Sequence, residues 1–257
     1  MAETPAGPSN QAAPYSSAIY DAWGDASARS ARAVLGVLWD FYRPASVVDV
    51  GCGIGTWLAA AETLGARTLT GLDGPWVNRA QLRSAAITFT PVDFEAEIPD
   101  VGRHDLAMSV EVAEHVSERR ADAFVAGLTR LSDVVVFGAA IPDQGGVSHV
   151  NERWPSWWAA KFADAGFEPF DVLRAAVWQD PGVEWWYRQN ILLYVRRGAT
   201  GIDRDALKAR ERSALDLVHP ALYEAKVAEI RRVHERPDGR FLWQTLRRYL
   251  FPPKRTR

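Results

Sequence analysis

Three groups of residues in this 257-residue chain combine types and spacings able to do chemistry. The first is Val47 to Gly55, V-V-D-V-G-C-G-I-G, an apolar strand running into Gly51, Gly53 and Gly55, with Asp49 two residues before the first glycine. Glycines at such a turn let backbone amides approach a ligand and tolerate positive φ. A helix-forming run starts at Thr56, so the unpaired N–H groups and positive dipole end of a helix face whatever the loop holds. Asp73 closes the next apolar run, about 20 residues on, where a carboxylate can accept both hydroxyls of a ribose. A carboxylate-bearing or anionic ligand fits this loop.

The second group lies in H-D-L-A-M-S-V-E-V-A-E-H-V, His104 to Val116. Glu111, Glu114 and His115 fall at the exit of a strand, and in parallel sheets the C-terminal ends of strands line the ligand crevice. A histidine there titrates near neutrality and can take a proton from a hydroxyl. The third group is the loop from Phe137 to Trp158, where Asp143, Gln144, His149, Asn151 and Glu152 gather around Gly145-Gly146, a hinge or point of close approach. His149, Asn151 and Glu152 make a weak metal set, two spaced ligands and one amide, so no metal is expected and His149 or His115 reads as a general base. Two lesser positions complete the list. Pro91-Val92-Asp93-Phe94 places an acid beside an aromatic, and Trp76 is a candidate to cover a flat ring.

The elements that must position these residues follow from pattern. Strands are expected at Ser46 to Val50, Thr68 to Asp73, Ile87 to Thr90, Asp105 to Val110 and Val134 to Phe137, alternating with helices, which means a parallel sheet. A lead-in helix spans Ala26 to Tyr42 and is stopped at Arg43-Pro44. After the loop Ala139 to Arg153 comes a helix ending at Gly166, then strands Phe167 to Ala176 and Asn190 to Val195, separated by a Trp-rich insertion, Val177 to Gln189. Asp203 to Glu235 reads as helical with a break at His219-Pro220. The divisions expected are a disordered tail at 1–14, lead-in helices at 15–44, a core at 45–197 and a helical extension with a basic tail, Arg247 to Arg257, at 198–257. Of the 11 tryptophans, six fall between Trp154 and Trp186, read either as core or as pocket wall.

Composition narrows the classes. A net charge of -2 and a pI near 6.2 give no basic footprint for nucleic acid. The single Cys52 makes no internal disulfide, and no apolar run reaches a membrane span, so a cytoplasmic protein with no integral membrane association is the expectation.

The glycine spacing discriminates between cofactors. A dinucleotide fingerprint, G-x-G-x-x-G, would need its third glycine where Thr56 stands. The D-x-G-x-G-x-G run instead resembles motif I of the class I S-adenosylmethionine-dependent methyltransferases, and the Glu111 to His115 run resembles the E-V-x-E-H segment of many of them. With Phe137 to Trp158, W-Y-x-Q-N at Trp186 to Asn190 and V-H-P-x-L-Y at Val218 to Tyr223, the chain looks like a bacterial branch linked to glycan or secondary-metabolite pathways. One departure is Gly138, where that branch leads one to expect Ser. The resemblance covers roughly residues 15 to 235 and implies a Rossmann-like α/β fold, a seven-stranded mostly parallel sheet with the last two strands antiparallel, helices on both faces, and N- and C-terminal helical appendages. It implies S-adenosylmethionine as cofactor, bound by Asp49, Gly51, Gly53, Gly55, Asp73, Trp76, Asp93, Phe94 and Glu111. Catalytic roles fall to Glu114, His115 and His149, with O-methylation of a hydroxyl on a sugar or small metabolite as the activity. N-methylation of an amine, a nicotinamide-dependent oxidoreductase and a non-catalytic pathway protein stand as alternatives. The expected partner is the small-molecule or glycan methyl acceptor, and a homodimer is compatible with the reading.

Overall fold

The computed structural model describes residues 17–211 and 214–235; the expected tail at 1–14 and the basic tail from Arg247 lie outside them. The chain divides between Leu217 and Val218 into two compact units. In the first, seven strands form one sheet: β1 (Ser46–Val50), β2 (Thr68–Asp73), β3 (Ile87–Pro91), β4 (Leu106–Val110), β5 (Val134–Gly138), β6 (Phe167–Phe170) and β7 (Leu192–Arg196), in the order β3-β2-β1-β4-β5-β7-β6. Strands β1 to β5 pair in parallel, and β7 runs antiparallel to both β5 and β6, so β7 alone is reversed.

The two-residue period of the strands sorts their side chains into two cores. Val47, Leu106, Met108, Val134 and Val136 face one side, against α1 (Ser17–Trp39), α2 (Thr56–Thr63), α5 (Leu173–Val177) and α6 (Trp185–Asn190). Val48, Val50, Ala107, Val135 and Phe137 face the other, against α3 (Ala121–Leu131) and α4 (Pro155–Asp164). Helices thus cover both faces, as parallel strands require. The switch in strand order lies between β1 and β4, whose C-terminal ends open the crevice.

Strands β3, β4 and β5 each differ by one residue from the sequence expectation, and larger differences occur in four places. Helix α1 begins at Ser17 rather than Ala26 and ends at Trp39, where Phe41 and Tyr42 N–H still bond the Leu38 carbonyl ahead of Pro44. The strand expected over Phe167 to Ala176 stops at Phe170, because Asp171 and Arg174, three residues apart, form a buried pair that turns the chain into α5. Much of the Trp-rich insertion is helical as α6, which delays β7 to Leu192. The helix expected from Asp203 is α7 (Arg204–Arg210), N-capped by the Asp203 carboxylate, and the break begins at Glu211 rather than at His219. In the second unit, α8 (Pro220–Glu235) starts on Pro220 at its first position.

Candidate active site

The glycine loop leaves β1 with Gly51, Gly53 and Gly55 all at positive φ, 89°, 53° and 77°. Sterics add to conformation. A Cβ on Gly51 would stand 2.2 Å from the Val112 side chain, and one on Gly55 2.4 Å from Ile87. Gly55 is the N-cap of α2 and has no side chain to satisfy the first helical amides, which leaves them to a ligand.

Asp73, at the end of β2, holds this loop shut. One carboxylate oxygen accepts the Gly53 N–H at 2.7 Å and the other the Gly74 N–H at 2.6 Å. Each oxygen keeps a further lone pair for a ligand hydroxyl. Burial raises Asp73 above the ordinary carboxylate range, against the pull of those two amides. Asp49 is buried beside it, and burial, with the Asp73 charge added, pushes it up to about 8. Two carboxylates withdrawn from water in one crevice are a donor set for a cation.

The outer wall is built from β3. Val92 N–H bonds the Asp73 carbonyl at 2.8 Å, which brings Asp93 next to the end of β2. Asp93 is exposed and caps its own turn, accepting the Glu95 N–H at 2.9 Å. Phe94 is turned away toward the core, edge-on to Phe124 with ring centres 5.8 Å apart. Trp76 is 45% exposed and lies over Gly74, where a Cβ would collide with its indole.

The β4 exit supplies the second half. Val112 packs on Gly51, so the Glu111 to His115 run abuts the glycine loop. Glu111 stands at φ 58°, a left-handed conformation rare for a residue with a Cβ, and its N–H bonds the Gly138 carbonyl. Its carboxylate accepts Asn190 Nδ2 at 2.9 Å and Gln144 Nε2 at 3.1 Å, and Gln189 Nε2 reaches the Gln144 carbonyl oxygen at 2.9 Å. Burial raises the Glu111 carboxyl, while the two amides lower it. Glu114 is 1% exposed, and neither carboxyl oxygen makes a complete hydrogen bond among the described residues. Burial and then the Glu111 charge hold this carboxyl well above its usual range, despite the nearby Glu114 and Ala140 amides.

The loop after β5 folds back onto this run because Val150 and Asn151 N–H both bond the Glu114 carbonyl, at 2.9 and 3.0 Å. That contact places the His149 ring 4.9 Å from the His115 ring, edge to face. Nδ1 of His149 lies 2.8 Å from Glu152 Oε1, and Nδ1 of His115 lies 3.3 Å from the Ser148 carbonyl. Burial lowers His115, with His149 as the second cause. Donor atoms of Glu114, His115 and His149 all fall within 4.8 Å of one another. This set differs from the His149, Asn151 and Glu152 combination that spacing suggested: Glu152 supports His149, and the Asn151 side-chain Oδ1 accepts from Arg153 Nε.

Spacing also missed Gln144 and Asn190 as partners of Glu111, and Gln189 as a donor to both of them. The signal was present in W-Y-x-Q-N, two adjacent amides directly before an apolar strand, since buried amides require partners. Among the clustered tryptophans, Trp158 is core at 1% exposed, whereas Trp154 is 39% exposed at the end of the loop.

A family model described as "Methyltransferase domain" matches residues 22–172. No curated protein matches the chain in sequence. Among solved structures, an O-methyltransferase family protein from Burkholderia thailandensis aligns at TM-score 0.50 and 18% identity, covering 69% of this chain and 59% of that one. Human N-acetylserotonin methyltransferase in complex with S-adenosylmethionine aligns at 0.49 and 16%, covering 70% and 54%. Magnesium protoporphyrin IX methyltransferase from Synechocystis PCC 6803, with bound S-adenosylhomocysteine, aligns at 0.48 and 16%, covering 71% and 88%. The chain therefore spans less than two thirds of the first two proteins, and at these identities the likeness is one of fold.

Proposed function

We propose, from the premise that this chain belongs to the methyltransferase domain family, that it transfers a methyl group from S-adenosylmethionine to a hydroxyl oxygen of a small molecule or glycan. One observation carries the reading. The β4 exit, whose Glu114 and His115 cluster with His149, abuts the glycine loop through Val112 on Gly51, and around that loop stand the buried acids Asp49 and Asp73 and the uncapped amides of α2.

The cofactor's groups suit the first half. Asp49 would face the ammonium, the amides after Gly55 the carboxylate, and Asp73 the ribose diol, while Trp76 would cover the adenine and Asp93 accept from its amino group. Bound there, the sulfonium supplies an electrophilic methyl. The chain's own work is then to exclude water, align the acceptor in line and handle its proton. The amide network around Glu111 fixes the floor between the two halves, and the loop carrying His149 forms the acceptor side. The uneven surroundings of His115 and His149, one facing a carbonyl and the other a carboxylate, suit a site that must manage a hydroxyl proton.

Calorimetric titration with S-adenosylmethionine, S-adenosylhomocysteine and NADH tests the cofactor assignment. Saturable binding of the first two and none of NADH is expected, and NADH binding alone overturns it. Asp73→Ala is expected to weaken S-adenosylhomocysteine binding by about 1–3 kcal/mol, the cost of the hydrogen bonds left unmade; unchanged affinity removes Asp73 from the site.

A further inference from the structure

We infer that Glu114, His115 and His149 form a binding site for one first-row divalent cation, held at the junction of the β4 exit and the loop after β5. Their donor atoms lie within 4.8 Å of one another. Bonds of about 2.0–2.2 Å to nitrogen and oxygen place the donors of one ion about 3–4 Å apart, so closure asks for shifts of under about 1 Å. Two imidazoles and one carboxylate are the donor set that leaves coordination positions open on the ion.

Two further features point to a ligand. Glu114 is 1% exposed, and its carboxyl oxygens have only the nearby Glu114 and Ala140 amides and no well-formed hydrogen bond among the described residues, an arrangement that a cation would complete. His149 is oriented as metal-bound histidines are, with Nδ1 on the Glu152 carboxylate at 2.8 Å and Nε2 left as the donor atom. Glu152 is itself tied down by the Gly145 N–H at 2.8 Å. The absence of a side chain at Gly146 keeps space beside Nε2 of His149, since a Cβ there would stand 2.2 Å from that atom.

The ion's role rests on the methyl-transfer reading, whereas its binding does not. It would take the acceptor oxygen as a further ligand and lower the pKa of that hydroxyl, whose proton leaves to water. The oxygen lone pair then forms the new C–O bond as the C–S bond breaks, and sulfur keeps the pair. With the ion bound, His115 and His149 serve as its ligands, and water takes the proton that the imidazoles would manage in its absence.

The test uses the full chain stripped with chelator and titrated with Mn²⁺, followed by loss of the free-ion electron paramagnetic resonance signal, with S-adenosylhomocysteine binding measured on the same sample. One Mn²⁺ per chain is expected, with the site abolished in Glu114→Gln and His149→Gln. Glu152→Gln should weaken it by about 10- to 100-fold, as loss of a supporting carboxylate does elsewhere. Pulsed measurement of ¹⁴N couplings on the bound ion in the unmodified protein does not depend on any variant folding, and two imidazole couplings are expected. Absence of Mn²⁺ binding, full-strength binding in both variants, or a bound ion without ¹⁴N coupling overturns the inference. Metal binding without S-adenosylhomocysteine binding would sustain the site and sink the methyltransferase reading; the reverse result would do the opposite.

Discussion

Asp49 is the residue whose environment has the plainest consequence in solution. Its carboxyl is held at about 8 by burial and by Asp73, far above the ordinary carboxylate value. The folded chain therefore keeps a proton that the unfolded chain has released, so the stability Asp49 contributes is present below about pH 4 and is lost as pH rises toward about 8. Without ligand, chemical denaturation across pH 5 to 8 should show stability falling, and Asp49→Asn should flatten that slope. A cationic ligand favours the ionised form, so its binding should release a proton from the unmodified protein and none from Asp49→Asn, read by calorimetry in two buffers of different ionisation enthalpy. Gly51 gives a second expectation. At φ 89°, with Val112 where a Cβ would go, Gly51→Ala should lose stability and cofactor affinity together. Adding Val112→Ala should restore only part of the loss, because the smaller neighbour removes the closest contacts but leaves its own Cβ at 3.0 Å and the backbone strain. The glycine-loop half of the candidate site was legible in the sequence as a geometry, because its parts are local: three alternate glycines, all at positive φ, and one acid a strand later that bonds the loop. The other half joins residues far apart in the chain, Glu111 with Gln144 and Asn190, and His115 with His149. Backbone bonds such as Glu111 N–H to the Gly138 carbonyl and those of Val150 and Asn151 to the Glu114 carbonyl help bring them together, and no spacing rule encodes those.

At the level of elements, β1 and β2 were legible to the residue, since buried parallel strands are short apolar runs bounded by turn signals. The region from Phe167 to Asn190 was not. Its apolar residues suit a strand as well as a buried helix, and the choice is made at Arg174, whose ion pair with Asp171 is local but whose other bonds reach far along the chain. Arg174 is fully buried and grips the Asp171 carboxylate with Nε at 3.1 Å and Nη2 at 2.7 Å. The same guanidinium donates to the carbonyls of Gln189, Ala214 and Leu215, at 3.2, 2.8 and 2.8 Å. One side chain thus ties α5 to the end of α6 and to the chain beyond α7. Arg174→Ala should cost about 3–5 kcal/mol in denaturant unfolding, since it strands a buried carboxylate and three carbonyls. Because the Gln189 carbonyl is among them, the Glu111 network should loosen as well, visible as faster amide exchange at Asn190.

For the first unit as a whole, ligand binding and stability are linked by mass action. S-adenosylhomocysteine at about 100 times its Kd should add about 2.7 kcal/mol. For a unit of this size, at about 2–4 °C per kcal/mol, the melting temperature should rise by roughly 5–10 °C in differential scanning fluorimetry, with NADH leaving it unchanged. Among the described residues no helix is long and apolar enough to cross a membrane. In the segment between β5 and α4, Ala139 joins the second core and Ala140 and Ile141 are buried, whereas 145–148 are exposed. That segment is stitched at its neck by main-chain atoms, Arg153 N–H to the Ala140 carbonyl at 3.1 Å, and again by the Val150 and Asn151 amides. Main-chain stitches are indifferent to side-chain identity. The exposed stretch 145–148 is therefore the part open to exchange: a loop of other composition that keeps Gln144, Gly146, His149 and Glu152 would inherit the Glu111 network and the His149–Glu152 pair, and is expected to alter which acceptor is admitted.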